Sequence, residues 1–140
     1  MQEALSILKK YYGFEQFRPE QADIVNAIAA GKDCLGLLPT GGGKSICFQV
    51  PALMREGLCI VVTPLVALMK DQVRQLKERN IAAEAIFSGL KFAEIENILD
   101  DAVNGNIKFL YVSPERLKTI NFKERIKSLG IEVDVNVDDK

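Results

Sequence analysis

Apolar positions along this chain alternate between two spacings. From Gln2 to Tyr12, Leu5, Leu8 and Tyr12 share one helical stripe, and Gly13 supplies a left-handed stop. Pro19 suits a first helical turn, Ala22, Val25 and Ile28 continue the stripe, and Gly31 is the next stop signal. Cys34 to Leu38 is a continuous apolar run between Asp33 and Pro39, too short for a stable helix, which predicts a strand covered on both faces. Lys44 to Leu53 reads as a helix with a kink or break near its end, where Pro51 removes an N–H and crowds the preceding turn. Leu58 to Val62 predicts a second buried strand. A helix follows from about Leu65 to Arg79 with Leu68, Val73 and Leu76, then a weaker strand over Ala82 to Phe87. Phe92, Ile95, Leu99, Ala102 and Val103 fit one helical face that Gly105 ends, and Lys108 to Val112 is the next apolar strand. Ser113-Pro114-Glu115 opens a short helix, with serine as cap and proline in the first turn.

Strands that alternate with helices imply parallel pairing through right-handed crossovers. The fold class expected is α/β, a three-layer sandwich with a mainly parallel sheet and ligands at the carboxyl ends of the strands. The glycine-rich segment after Leu38, Thr63-Pro64 and Ser113-Pro114 each follow a predicted strand directly, so all three should line the same edge. The sequence contains no internal repeat or low-complexity segment.

Composition narrows the picture little further. With 140 residues, 48% hydrophobic and 26% charged, the chain reads as one soluble globular domain. No apolar stretch approaches the ~20 residues a membrane span needs, and the start, with Gln2 and Glu3 in an amphipathic pattern, is unlike a signal peptide. A cytoplasmic location without membrane contact is therefore expected. Cys34, Cys47 and Cys59 are widely spaced in apolar surroundings and read as buried thiols. The absence of histidine removes imidazole acid–base chemistry. A net charge of -1 gives no global field for a polyanion, so nucleic acid would have to be held by local loops and helix ends.

The chemistry concentrates in Leu38-Pro39-Thr40-Gly41-Gly42-Gly43-Lys44-Ser45, which ends a strand and opens a helix. Glycines let the backbone bring several N–H groups onto anionic oxygens, Lys44 adds a mobile positive charge, and Ser45 offers a hydroxyl suited to Mg²⁺. A nucleoside triphosphate is the ligand this predicts. The strict phosphate-loop pattern would put glycine where Leu38 stands, so this is a variant form. A flexible linker would share the glycines, but not the flanking Cys34 to Leu38 and Ile46 to Val50.

Four ordered segments together resemble the RecQ-type ATP-dependent DNA helicases: Tyr12-Gly13-Phe14 with Phe17-Arg18-Pro19-Glu20-Gln21; Leu38 to Ser45; Thr63-Pro64-Leu65-Val66-Ala67-Leu68-Met69-Lys70-Asp71-Gln72; and Tyr111-Val112-Ser113-Pro114-Glu115-Arg116-Leu117. The resemblance extends from about Leu5 to Leu129. It implies the RecA-like first motor domain of a superfamily 2 helicase acting in DNA repair and recombination, with ATP and Mg²⁺ as cofactors. Thr40, Gly41, Gly42 and Gly43 would form the loop, Lys44 would serve catalysis by binding phosphates, and Ser45 would contact Mg²⁺. Gln21 would read adenine through an amide that both donates and accepts, with Arg18 and Tyr12 packed against base or ribose. On its context alone Gln21 reads as helix-start polarity. Pro64, Leu65, Lys70 and Gln72, with Ser113 and Arg116, would hold single-stranded or partly duplex DNA by its phosphates. Read without the resemblance, Ser113 is a helix cap and Arg116 a solvated charge.

The C-terminus departs from that pattern. Motors of this family continue into a strand ending Asp-Glu-Ala-His, whereas this chain reads Ile131-Glu132-Val133-Asp134-Val135-Asn136-Val137-Asp138-Asp139-Lys140. Acids alternating with valines are wrong for a strand buried on both faces, so residues 131–140 read as an acidic tail or degenerate strand after a partial ATP-binding domain over 1–130. Asp138 and Asp139 echo the acidic motif poorly. Without that motif, the second motor domain and its arginine finger, the isolated chain is expected to bind nucleotide with negligible unwinding. A non-catalytic truncated remnant and another phosphate-loop NTPase, such as a nucleotide kinase or transporter ATPase, stay open as alternatives.

Overall fold

The computed structural model describes residues 2–19, 21, 22, 25, 36, 37 and 45–127. The chain begins with α1 (Gln2–Ile7), which widens into a π-helical turn over Leu8–Tyr12 and stops at Gly13, whose φ of 78° is the left-handed geometry expected there. Pro19, Gln21, Ala22 and Val25 are helical, in line with the second predicted helix. Then come β1 (Gly36–Leu37), α2 (Ser45–Leu53), β2 (Cys59–Val62), α3 (Val66–Glu78), β3 (Ala83–Ile86), α4 (Phe92–Val103), β4 (Phe109–Val112), α5 (Pro114–Leu117) and α6 (Ile120–Lys127).

All pairing in this four-stranded sheet is parallel, in the order β1-β2-β4-β3. Leu37 pairs with Val62, Val62 with Val112, and Ile86 with Val112, so the four strands end level. The segments that leave β2, β3 and β4 therefore share one edge of the sheet.

Alternation along the strands divides the interior. Phe109 and Tyr111 of β4, with Cys59, Val61, Ala83 and Ala85, face Phe48 and Ala52 of α2 and Met69, Val73 and Leu76 of α3. Leu110 and Val112, with Val62 and Ile86, face Ile95, Leu99 and Ala102 of α4 and Phe122 and Ile126 of α6. This is the three-layer α/β arrangement that the alternation predicts. Each such aliphatic or aromatic side chain contributes about 1.5–3 kcal/mol by leaving water. A third cluster, Ala4, Leu8, Val25 and Val50, with Tyr12 and Phe17 against it, seats the N-terminal helix on α2.

Pro51 lies inside α2, which ends two residues later at Leu53, consistent with the predicted break. Gly105 closes the turn after α4 at a φ of 80°. Two expectations need correcting. Phe92 was expected on the buried stripe of α4 but is 73% exposed, because it occupies the first helical position, before the turn that meets the sheet. Helix α6 was not anticipated. Its signals are the Thr119 hydroxyl accepting from the Phe122 N–H at 3.3 Å, and Phe122 and Ile126 one turn apart and both buried. Arg125 holds it against α4 through ion pairs with Glu96 and Asp100, and Asn121 donates to Glu96 at 2.9 Å.

Cys47 and Cys59 are buried as expected, and Cys34 lies outside the described residues. Among the described residues no helix is long and apolar enough to cross a membrane.

Candidate functional site

Of the phosphate-loop residues, Thr40, Gly41, Gly42, Gly43 and Lys44 lie outside the described residues, as do Asp138 and Asp139. Ser45 is described, as the first residue of α2, and it is half-buried. One turn further along α2 stands Gln49, and β4 and α3 place Tyr111 and Gln72 beside it. These side chains carry polar atoms into the layer between sheet and helices, where an unpaired donor or acceptor would cost about 1–3 kcal/mol.

Each finds a partner. The Gln72 amide Nε2 donates to Ser45 Oγ at 2.7 Å. Gln72 Oε1 accepts from the Tyr111 hydroxyl at 2.9 Å and from Gln49 Nε2 at 3.1 Å. Gln49 Nε2 also donates to the Tyr111 hydroxyl at 3.3 Å, closing a triangle. Gln49 Oε1 accepts a short hydrogen bond from the Tyr12 hydroxyl at the end of the π-helical turn. Four segments distant in sequence thus meet in one directed network behind Ser45.

Burial raises the pKa of both phenols above the ordinary value. For Tyr111 desolvation dominates, opposed by the hydrogen bond from Gln49. For Tyr12 desolvation again leads, opposed by the positive charge of Arg79, whose guanidinium lies over the ring 4.8 Å from its centroid. Both hydroxyls therefore remain protonated donors at neutral pH.

Around Gln21 the geometry is that of a helix start. Arg18 N–H donates to Gln21 Oε1 at 3.0 Å, so the side chain three residues on reaches back to the residue before Pro19, half of a capping box. Gln21 is buried and Arg18 exposed.

Past the ends of β2 and β4 the structure distributes the remaining predicted residues unevenly. Thr63 is buried. Its N–H donates to Val112 O at 3.0 Å and its Oγ1 accepts from Leu65 N–H at 3.2 Å, which fixes the path from β2 into α3. Pro64 is exposed and Leu65 is 49% exposed, and α3 begins at Val66 with no side-chain cap from Leu65. Lys70 is exposed, its ammonium 4.7 Å from the Phe87 ring centroid. Gln72, by contrast, turns inward to the network. Ser113 Oγ accepts from Arg116 N–H at 3.2 Å and caps α5, and both residues are half-buried.

Three residues of this region carry no role in the sequence reading: Gln49, Tyr111 and Thr63. A signal exists for the first, since Gln49 lies four residues after Ser45 within the apolar Cys47-Phe48-Gln49-Val50. Tyr111 sits in the continuous run Phe109-Leu110-Tyr111-Val112, where a buried hydroxyl demands a partner.

Ser45 fits what a Mg²⁺ site asks of a protein. Magnesium keeps several waters and phosphate oxygens and takes only one or two protein oxygens. The Ser45 hydroxyl accepts one hydrogen bond from Gln72 and has a second lone pair to give.

Comparison with known proteins adds the following. Residues 18–135 match the family model described as DEAD/DEAH box helicase. The chain is 42% identical over 123 residues to the ATP-dependent DNA helicase RecQ of Haemophilus influenzae, covering 88% of this chain and 20% of that protein. It is 47% identical over 110 residues to the ATP-dependent DNA helicase RecQ of Synechocystis, covering 79% of this chain and 23% of that one. With the ATP-dependent DNA helicase RecQ of Bacillus subtilis it shares 42% identity over 129 residues, 91% of this chain and 22% of the relative. The chain thus spans about a fifth of the length of these relatives.

Proposed function

The chain belongs to the DEAD/DEAH box helicase family, and from that premise we propose that it is the ATP- and DNA-binding part of the first motor domain of a RecQ-type DNA helicase. A whole protein carrying it would couple ATP hydrolysis to DNA unwinding. The observation that carries this reading is the level ending of β1, β2 and β4, set by the Leu37–Val62 and Val62–Val112 pairs. That register supports a common edge for the phosphate loop, the Thr63-Pro64 turn and the Ser113-Pro114 turn, the edge where open α/β sheets bind their ligands.

In this proposal Thr40 to Gly43 wrap the phosphates with backbone N–H groups, and Lys44 neutralises charge on the transferred phosphoryl group. Ser45 contributes its hydroxyl to Mg²⁺, which when bound supplies charge neutralisation at the phosphates. Tyr12, Arg18 and Gln21 form the base side of the site. Tyr12 supports this by joining the α2 network, and Gln21 by lying beside Arg18, whose N–H donates to it, at the start of the second helix. DNA would lie along the other two turns. The exposed Pro64 and Leu65, the uncapped start of α3, Lys70 and the Ser113–Arg116 turn would meet its phosphates. Contacts of this kind favour strand or structure over base sequence.

Calorimetry with ATP and Mg²⁺ tests the proposal. Lys44→Ala is expected to abolish binding, and GTP to bind more weakly than ATP. Unchanged ATP affinity in Lys44→Ala would remove the phosphate-loop reading, and equal affinity for GTP would remove Gln21 as the adenine contact.

A further inference from the structure

The Thr63 to Gln72 segment ends in a residue that faces away from any surface DNA. Gln72 is buried, and its Nε2 donates to Ser45 Oγ at 2.7 Å across from α3 to the start of α2. We propose that Gln72 is a positioning residue that aims the Ser45 hydroxyl at its cation, and that Gln49 and Tyr111 hold Gln72 in place to do so. The inference rests on the proposed contact of Ser45 with Mg²⁺.

A serine hydroxyl has one proton and two lone pairs and rotates freely about its C–O bond. An N–H donor at 2.7 Å engages one lone pair and ends that freedom, so the other lone pair and the proton take the remaining directions. In the structure the amide presents nitrogen to Ser45, and its neighbours hold it in that sense. Gln72 Oε1 is held by two donors, the Tyr111 hydroxyl and Gln49 Nε2. Reversing the Gln72 amide would set its NH₂ against the Gln49 NH₂ and place an acceptor on Ser45. Gln49 would have to reverse with it, giving up the hydrogen bond its Oε1 accepts from Tyr12. The phenol of Tyr111 carries its proton at neutral pH and donates it to Gln72 at 2.9 Å. The contacts from Tyr12 to Ser45 thus run as one coupled chain, an arrangement like the outer partners that orient metal ligands.

A merely structural bond would stabilise the domain without affecting how ATP affinity responds to Mg²⁺. The test therefore compares ATP affinity with and without Mg²⁺, by calorimetry on the 140-residue chain and on Gln72→Met, Gln72→Asn and Ser45→Ala. Gln72→Met keeps the length and loses the donor. Gln72→Asn keeps the amide but is one methylene too short to reach Ser45, and serves if the methionine variant does not fold. The Mg²⁺ enhancement of ATP affinity is expected to fall about 10-fold or more in either Gln72 variant, toward that of Ser45→Ala. The double variant with Ser45→Ala should lose no more. A full Mg²⁺ enhancement in a folded Gln72 variant overturns this inference and leaves the Ser45 contact standing. An ATP affinity indifferent to Mg²⁺ in the parent chain overturns both.

Discussion

Removing the Tyr111 hydroxyl while raising pH gives a stability difference whose size and sign follow from the structure. Tyr12 and Tyr111 are two of three tyrosines, and both phenols are pushed above the ordinary value of 10.0, in each case chiefly by burial. Above that value the unfolded chain releases these protons and the folded chain keeps them. The unfolded state then binds fewer protons, so stability present below pH 10 is lost as pH rises toward the folded-state values. Each phenol costs about 1.4 kcal/mol of stability by about pH 11. At neutral pH, Tyr111→Phe keeps the ring in its pocket but deletes a donor to Gln72 and an acceptor for Gln49, at a cost of about 1–2 kcal/mol. The variant has one such phenol fewer. The gap in stability between parent and variant should therefore shrink by about 1.4 kcal/mol on going from neutral pH to about pH 11, closing or reversing. Urea unfolding followed by circular dichroism at a series of pH values measures it, and the titrating groups that do not couple to Tyr111 cancel in the difference. A gap that stays constant over that range would refute the argument, since it would mean that the Tyr111 phenol ionises as readily in the folded chain as in the unfolded one.

Two further outcomes follow from packing and capping. Leu99→Ala empties a fully buried position between α4 and the sheet and should cost about 2–5 kcal/mol in urea unfolding, clearly more than Leu68→Ala at a half-buried site; equal losses would contradict the placement of the second core. Ser113→Ala removes the acceptor for Arg116 N–H and should cost about 0.5–2 kcal/mol, and a variant as stable as the parent would show the α5 cap to be idle.

The alternation of strands and helices was legible because each element carries its own periodic signal. The runs around Val61 and Leu110 are apolar on both faces, and Leu68, Val73 and Leu76 mark the helix between them, although the structure buries Met69 on that face and leaves Leu68 half-buried. Stop signals at Gly13 and Gly105 were equally plain. Phe92 and α6 were not, for opposite reasons. Phe92 has the right spacing but sits too near its helix start to reach the sheet, whereas α6 shows only Phe122 and Ile126 as an apolar pair on an otherwise polar surface. The candidate site divides in the same way. The glycine loop is read from local chemistry, because backbone conformation and phosphate charge require those residues in sequence. Gln49, Gln72 and Tyr111 acquire their meaning only from one another. A glutamine flanked by apolar neighbours signals burial, but nothing in its own segment names the partner, which arrives from another element.

The central place of β4 also sets an order of events. β2 and β3 do not pair with each other; Cys59 waits for Phe109, and so does Ala83. As the chain leaves the ribosome, everything through Gly105 can hold helices and one short ladder, yet the sheet cannot close until Phe109 to Val112 slide between two strands already made. Assembly should thus be late and abrupt, its barrier set by loop closure over long stretches of chain, and an interruption of synthesis before Val112 would strand two naked edges in search of a mate.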